Sequence, residues 1–164
     1  MKTTNLGDSG YSIYRAKKVD GDKIVLNLTF RSEEQQYRFN FPYQCGSGCE
    51  LPYKAFDNQH EVTPGKDFVV MATDGLIDNL YDKDVQACLE PAVKVSKDSA
   101  EEFELEDPES VARCMSRKAY NLSKDQRYMS PFAQGAAKVG KRYGGGKQDD
   151  ITVIVTGITR KAKQ

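Results

Sequence analysis

Carboxylates stand next to two apolar runs of this sequence. The run 68–73 leads into Asp74, and Asp149 and Asp150 lead into the run 151–155. A charged group beside a buried strand needs a partner, such as an arginine, a helix N-terminus or a metal ion. Several carboxylates that converge at one edge of a sheet form a hard-oxygen site of the kind that suits Mg²⁺ or Mn²⁺. Asp74 and Asp149 are therefore candidate metal ligands.

Two more aspartates extend this candidate set. Asp8 lies in the Gly-Asp-Ser-Gly turn of residues 7–10. Asp78 follows Asp74 by four residues, so one helical turn would place both carboxylates on the same side. Asp-Gly and Gly-Asp pairs are also ordinary turn formers. The spacing by itself leaves two interpretations open, a metal site and plain turns.

The apolar pattern predicts the elements that must position these aspartates. The unbroken run 68–72 predicts a central buried strand, and the alternation over 151–155 predicts a last strand. The glycine-rich residues 144–147 are predicted to form the loop that leads to Asp149. Strands are also predicted for much of the first part of the chain, and helices for 82–90 with Asp82 as N-cap, for 108–122 and for 131–141.

Two charged segments are predicted to lie outside the packed elements. Residues 98–109 contain seven acidic residues among twelve and no basic residue, which predicts a solvated, mobile acidic loop. Residues 157–164 end the chain with three basic side chains and predict a frayed basic tail.

Charge, apolar runs and cysteine number limit the partners and the compartment that we expect for this chain. The chain has 24 Lys and Arg residues against 24 Asp and Glu residues, so it lacks the net positive charge that draws proteins to nucleic acid or to membrane surfaces. No apolar run approaches the roughly 18 to 20 residues that span a bilayer, and no targeting segment is visible. Four cysteines are too few for a disulfide scaffold, which favours a reducing intracellular compartment.

The remaining candidate ligands of a metal are two cysteines and the single histidine. Cys45 and Cys49 lie in a glycine-rich loop without a second close cysteine pair, and His60 lies in a polar stretch. A zinc-binding interaction module would need more ligands at tetrahedral spacing. Free thiols and a surface histidine are therefore the expectation.

Four segments of the chain resemble successive motifs of one enzyme family. In order and spacing they are similar to the metal-dependent protein phosphatases of type 2C, also called the PPM family, and more narrowly to the branch of that family found in mitochondria and plastids. The segments are residues 5–10 (Asn-Leu-Gly-Asp-Ser-Gly), 72–79 (Ala-Thr-Asp-Gly-Leu-Ile-Asp-Asn), 128–133 (Tyr-Met-Ser-Pro-Phe-Ala) and 145–153 (Gly-Gly-Lys-Gln-Asp-Asp-Ile-Thr-Val).

This resemblance implies a fold, a reaction and roles for the aspartates. The implied fold is α+β, with two packed, mainly antiparallel β-sheets flanked by helices. The implied reaction is hydrolysis of phosphoserine and phosphothreonine in phosphoproteins by water that a Mg²⁺ or Mn²⁺ centre activates. Asp74 and Asp149 match ligands of the two-metal centre and are the predicted catalytic residues. Asp8 matches a ligand of an additional, weaker metal, and Asp78 is a supporting candidate.

The family pattern also includes a segment upstream of the Gly-Asp-Ser-Gly motif, and this chain has no counterpart of it. That segment carries an Asp-Gly motif whose carboxylate bridges the two metals. Residues 1–164 are therefore expected to form a partial, N-terminally truncated catalytic domain with an incomplete metal centre. We expect such a chain to self-associate through an exposed strand edge. A catalytically inert, phosphatase-like binding or regulatory module is the alternative.

Overall fold

The computed structural model describes residues 1–21 and 23–160. Within these residues the chain has an α+β fold with antiparallel sheets and four α-helices, which confirms the predicted class. The strands are β1 (Lys2–Asn5), β2 (Gly10–Val19), β3 (Lys23–Arg31), β4 (Gln36–Arg38), β5 (Phe41–Pro42), β6 (Phe56–Gln59), β7 (Asp67–Ala72), β8 (Val93–Val95), β9 (Phe103–Leu105) and β10 (Val153–Gly157). The helices are α1 (Asp74–Ile77), α2 (Asp82–Leu89), α3 (Pro108–Ser123) and α4 (Pro131–Lys138), with short 3₁₀ turns at Pro52–Lys54 and Glu90–Ala92.

A four-stranded antiparallel sheet in the order β10-β7-β2-β3 organises the molecule. The predicted central strand is β7, which pairs with β2 on one side and β10 on the other. Residues 67–70 of this strand are buried because both of its edges and both of its faces are covered there. The predicted last strand is β10, whose Val153 lies opposite Ala72 at the end of β7.

Helices cover one face of this sheet. Alternate residues of β7, Phe68 and Val70, point to the helical side, where they meet Val111, Met115 and Ala119 of α3. These three helix residues recur every four positions and so form one apolar stripe. Burial of each large side chain contributes about 1.5 to 3 kcal/mol. The stripe therefore holds α3 against the sheet.

The opposite face of the sheet carries a smaller apolar cluster formed by Tyr11, Ile13 and Val69. Strands β1 and β6 form a separate two-stranded sheet on this side. Residues of β1 and of the large sheet line a groove of about 510 Å³. Met71 and Ile154 are 41% and 54% exposed at this face.

The structure corrects the prediction of an acidic loop over residues 98–109. Residues Phe103–Leu105 form β9, which pairs with β8, and the helix α3 begins at Pro108. Phe103 is buried in the main core, and its N–H donates to the carbonyl of Gly65 over 2.6 Å. The segment is anchored because the one aromatic side chain in it, Phe103, is buried, and the density of acidic residues does not indicate this.

The predicted frayed tail at 157–164 begins with residues that the structure places in the sheet. Gly157 belongs to β10, and the N–H of Ile158 donates to the carbonyl of Asp67 over 2.9 Å, so these residues continue the sheet rather than fray. The guanidinium of Arg160 pairs with Glu102 at 3.2 Å. Residues 161–164 of the predicted tail lie outside the described residues.

The N-cap of α2 also differs from the prediction. Tyr81 precedes the helix, and its N–H donates to the carboxylate of Asp84 over 3.1 Å. Asp82, the predicted N-cap, is the first helical residue and pairs with Arg31 instead.

The cysteines form two groups. Cys88 of α2 and Cys114 of α3 form a disulfide with a Cα–Cα distance of 5.8 Å, which the expectation of reduced cysteines did not include. It forms because the two helices pack side by side. Cys45 and Cys49 are free and exposed, as predicted. Among the residues described, no helix is long and apolar enough to cross a bilayer.

Candidate metal centre

Two neighbouring strands bring Asp74 and Asp149 to one edge of the sheet. Asp74 is the first residue of α1, directly after the end of β7. The Thr73 hydroxyl donates to the carbonyl of Asp150 over 2.9 Å and accepts from the N–H of Thr152 over 3.0 Å. Because β7 and β10 are hydrogen-bonded neighbours, this hydroxyl joins the end of one strand to the segment that enters the other.

Three of the four predicted aspartates converge on one cation, the ammonium of Lys147. Its Nζ lies 2.8 Å from a carboxylate oxygen of Asp74, 2.6 Å from one of Asp78 and 3.3 Å from one of Asp149. The single turn of α1 places Asp74 and Asp78 on the same side, as their spacing predicts. We call these three carboxylates the aspartate cluster.

Asp8 borders the aspartate cluster without contacting Lys147. It lines a cleft together with Glu34, Asp74, Asp78 and Lys147. Burial raises the pKa of Asp8, and the nearby charge of Asp74 raises it further. The pKa of Glu34 is also raised, first by burial and then by the charge of Asp8. The cleft thus holds more negative charge than its one lysine balances.

The electrostatics of the cluster follow from its depth. Burial raises the pKa of Asp78 to about 6, although its hydrogen bond with Lys147 opposes that shift. Burial alone would lower the pKa of Lys147, but hydrogen bonds to Asp74 and Asp78 raise it above its usual value. Burial would likewise raise the pKa of Asp149, but the N–H of Asp150 and the Lys147 ammonium hold it below its usual range. Lys147 is accordingly charged, and its charge stabilises the carboxylate form of its partners.

A buried asparagine that was not among the predicted site residues holds this arrangement. The Asn79 side-chain NH₂ donates to the carbonyls of Gly75 and Lys147 over 2.8 and 2.7 Å. Its side-chain oxygen accepts from the N–H of Lys147 over 2.9 Å. Asn79 is the last residue of the second of the four motifs, and its place in that motif is the feature of the sequence that could have identified it as a site residue. Its role depends on a contact 68 residues along the chain.

The third motif supports the loop that carries Lys147. The Ser130 hydroxyl caps α4 by accepting from the N–H of Ala133 over 3.0 Å, and it donates to the carbonyl of Gly145 over 2.7 Å. The ring centroid of Phe132 lies 5.0 Å from the Lys147 ammonium. Residues 144–147 therefore form the loop before Asp149, as predicted, and α4 positions it.

The donor chemistry of the cluster fits a hard divalent cation. Carboxylate oxygens are the ligands that Mg²⁺ and Mn²⁺ prefer, and three of them already surround one positive charge here. Across residues 1–21 and 23–160, no three His, Cys, Asp or Glu side chains are arranged to share a metal ion as they stand. The Lys147 ammonium occupies the place between the carboxylates.

The other candidate ligands lie away from this centre. His60, predicted to be a surface residue, is half-buried, and its Nε2 lies 2.9 Å from the hydroxyl of Tyr11. Its ring also packs against Phe30 with a centroid distance of 4.3 Å. The thiols of Cys45 and Cys49 remain exposed on their loop. These contacts give the histidine a structural role.

Comparison with known proteins identifies the relatives of this chain. No family model matches it. Probable protein phosphatase 2C 55 of Arabidopsis thaliana is 35% identical over 100% of this chain and 32% of its own length. The protein phosphatase PTC7 homolog of Xenopus laevis is 36% identical, and that of Homo sapiens 34%, each over 95% of this chain and 50% and 48% of the relative.

A solved structure shares the fold. The X-ray structure of the photosystem II phosphatase PBCP matches with a TM-score of 0.70 at 21% identity, over 96% of this chain and 58% of that chain. The chain spans about a third to a half of the length of the curated relatives it matches. Over nearly its whole length, the chain is homologous to part of the type 2C protein phosphatases.

Proposed function

We propose that this chain carries part of the active site of a metal-dependent protein serine/threonine phosphatase, with phosphoproteins as substrates. The observation that carries the proposal is the convergence of Asp74, Asp78 and Asp149 on a single positive charge at the paired ends of β7 and β10. The relatives named protein phosphatases support it, since they match 95 to 100% of the chain.

In this proposal the aspartates hold Mg²⁺ or Mn²⁺. Asp74 and Asp149 are the main ligands, and Asp8 and Asp78 support them from the adjoining wall of the cleft. A bound metal centre would supply an activated water and neutralise charge on the phosphoryl oxygens. Asn79 orients the loop that carries Lys147 and Asp149, and Thr73 keeps that loop beside α1.

The proposal also includes the subcellular compartment of the protein and its self-association. The resemblance to the mitochondrial and plastid branch favours an organelle of one of these two kinds. The exposed apolar face that Met71 and Ile154 share favours association of the chain with itself or with a covering segment.

One observation favours the inert alternative, in which the chain is a phosphatase-like binding or regulatory module. The Lys147 ammonium contacts the three carboxylates of the cluster and so compensates part of their charge without a metal. In this alternative the aspartates serve the fold, as partners of Lys147, and take no part in catalysis.

Phosphopeptide hydrolysis at saturating Mn²⁺ tests the proposal. We expect residues 1–164 to turn over phosphopeptide faster than the protein-free reaction and at least about 1000-fold slower than a complete type 2C domain, a factor that corresponds to roughly 4 kcal/mol of transition-state stabilisation. Asp74→Asn and Asp149→Asn should each abolish this turnover. Asp150→Asn is the matched control, because it makes the same change at the adjacent exposed residue and should retain turnover.

Two results would contradict the proposal. Turnover that survives both ligand substitutions would show that these aspartates hold no catalytic metal. If phosphopeptide hydrolysis in Mn²⁺ at high protein concentration does not exceed the protein-free reaction, the inert module is favoured instead.

A further inference from the structure

The Lys147 ammonium donates hydrogen bonds to Asp74 and Asp78 and forms an ion pair with Asp149 inside the aspartate cluster. An ammonium has three N–H donors and no acceptor. Three carboxylates lie within reach of it, at 2.8 Å for Asp74, 2.6 Å for Asp78 and 3.3 Å for Asp149. The side chain is only 18% exposed. The ammonium is thus enclosed by the carboxylates that a divalent ion would use.

The backbone of Lys147 is held in place, and this limits the positions that its ammonium can reach to those near the aspartate cluster. Its N–H and its carbonyl both bind the side chain of Asn79, at 2.9 and 2.7 Å. The preceding Gly146 lies so close to α3 that a Cβ there would stand 2.1 Å from the carbonyl oxygen of Leu122. Any side chain at 146 would displace the loop. Asn79 and α3 therefore both fix the position of Lys147.

The cleft beside the ammonium has little free space. Its free volume is about 20 Å³, which is close to the room that one water molecule occupies. Mg²⁺ requires six oxygen ligands and usually keeps several waters. An ion with its waters therefore needs the space that the Lys147 ammonium fills.

We propose that Lys147 is a tethered counterion that competes with the divalent metal for the aspartate cluster and so sets the metal affinity of the site. The ammonium holds the carboxylates together when no metal is bound, and it leaves them when a metal binds. This inference rests on the proposed function, because it requires that the cluster accept Mg²⁺ or Mn²⁺. It assigns to Lys147 a positioning role that acts through the aspartates.

The decisive measurement is Mn²⁺ binding, followed by the electron paramagnetic resonance signal of the free ion. Lys147→Met removes the charge and keeps a long apolar side chain. We expect Lys147→Met to bind Mn²⁺ at least about tenfold more tightly than the unmodified chain, a factor that corresponds to about 1.4 kcal/mol of lost competition. Lys138→Met, an exposed lysine of α4, is the matched control and should bind as the unmodified chain does.

A second measurement uses the unmodified chain and so does not depend on the folding of a variant. Nitrogen-15 NMR observes lysine ammonium groups that are shielded from solvent exchange. We expect a protected Lys147 ammonium resonance in chelator, identified by its loss in Lys147→Arg, and we expect Mg²⁺ to remove it. The backbone amide of Asp149 should shift in the same titration and report that Mg²⁺ binds.

The outcomes separate this inference from the proposed function. If the unmodified chain binds Mn²⁺ and Lys147→Met binds it equally or more weakly, the competition is refuted and the metal site stands. If Mg²⁺ shifts the Asp149 amide while the ammonium resonance persists, the inference is refuted in the same way. If neither the unmodified chain nor Lys147→Met binds either ion, both proposals fall.

Discussion

Asn79 shows how one buried polar side chain sets the geometry of the candidate site. It is fully buried, and its amide group bonds the carbonyl of Gly75 and both backbone groups of Lys147. The backbone carbonyl of Asn79 accepts a hydrogen bond from the hydroxyl of Tyr128 over 3.1 Å. A single residue thus joins the end of α1 to the loop before β10 and to the segment before α4.

Asn79→Ala should therefore destabilise the protein strongly. The substitution leaves the half-buried backbone groups of Lys147 without their Asn79 partners, and we expect the free energy of unfolding to fall by about 2 to 4 kcal/mol. Urea unfolding followed by circular dichroism measures this loss. Asn121→Ala, at an exposed position of α3, is the matched control and should change stability by less than about 0.5 kcal/mol. Equal losses for the two variants would contradict the assigned role.

His60 should make stability depend on pH. Burial lowers the pKa of His60, and the nearby N-terminal ammonium lowers it further. The unfolded chain therefore binds a proton at this residue at a higher pH than the folded chain, so this contribution to stability is lost as the pH falls below about 6.5. His60→Gln should lose less stability between pH 7 and pH 5 than the unmodified protein, as judged by urea midpoints. A parallel loss in both proteins would show that His60 is not responsible.

At the scale of elements, the site depends on the close approach of α1 to the segment that enters β10. Gly75 lies in the first turn of α1, where a Cβ would stand 2.4 Å from the carbonyl oxygen of Asp150. Thr73, just before the helix, bonds the same segment. Only a residue without a side chain allows the helix and this segment to touch, so Asp74 and Asp149 reach one cation.

Gly75→Ala should separate these elements. We expect a loss of about 1 to 3 kcal/mol in the free energy of unfolding, because the added methyl group meets backbone atoms that cannot rotate away. Gly144→Ala is the control, since a Cβ there meets no described atom within 4 Å. Thermal unfolding of both variants provides the comparison. A Gly75→Ala protein as stable as the Gly144→Ala protein would rule out the close approach.

At the scale of the whole molecule, the two faces of the large sheet differ. Helices α2 and α3 and the hairpin of β8 and β9 contribute to the core on one face. The other face has the small cluster of Tyr11, Ile13 and Val69, and its groove is lined largely by apolar surface near Met71 and Ile154. An apolar surface of this kind favours association.

We predict that the chain self-associates through this face. Ile154→Lys places a charge at the 54% exposed position in β10 and should lower the weight-average mass measured by sedimentation at a fixed concentration. Tyr120→Lys is the matched control, because Tyr120 is equally exposed on α3, away from the groove. A monomer at all concentrations would contradict the prediction, as would an equal effect of the two substitutions.

Local sequence patterns determined the elements whose signals are repeated along the chain. The apolar run at 68–72 predicted β7, and the four-residue repeat of Val111, Met115 and Ala119 predicted α3. Such patterns are reliable because each residue adds to the same periodicity. The four motifs likewise pointed to the type 2C phosphatases and to the aspartates, because motif order and spacing are properties of the sequence itself.

Tertiary structure alone decided which charges and cysteines meet. The sequence showed the carboxylates of Asp74 and Asp78, but their common partner Lys147 lies 73 and 69 residues away. It also did not indicate the disulfide of Cys88 with Cys114, or the anchoring of the acidic segment by Phe103. The physical reason is range: an ion pair or a disulfide depends on a separation of a few ångströms in space, and no local periodicity encodes that distance.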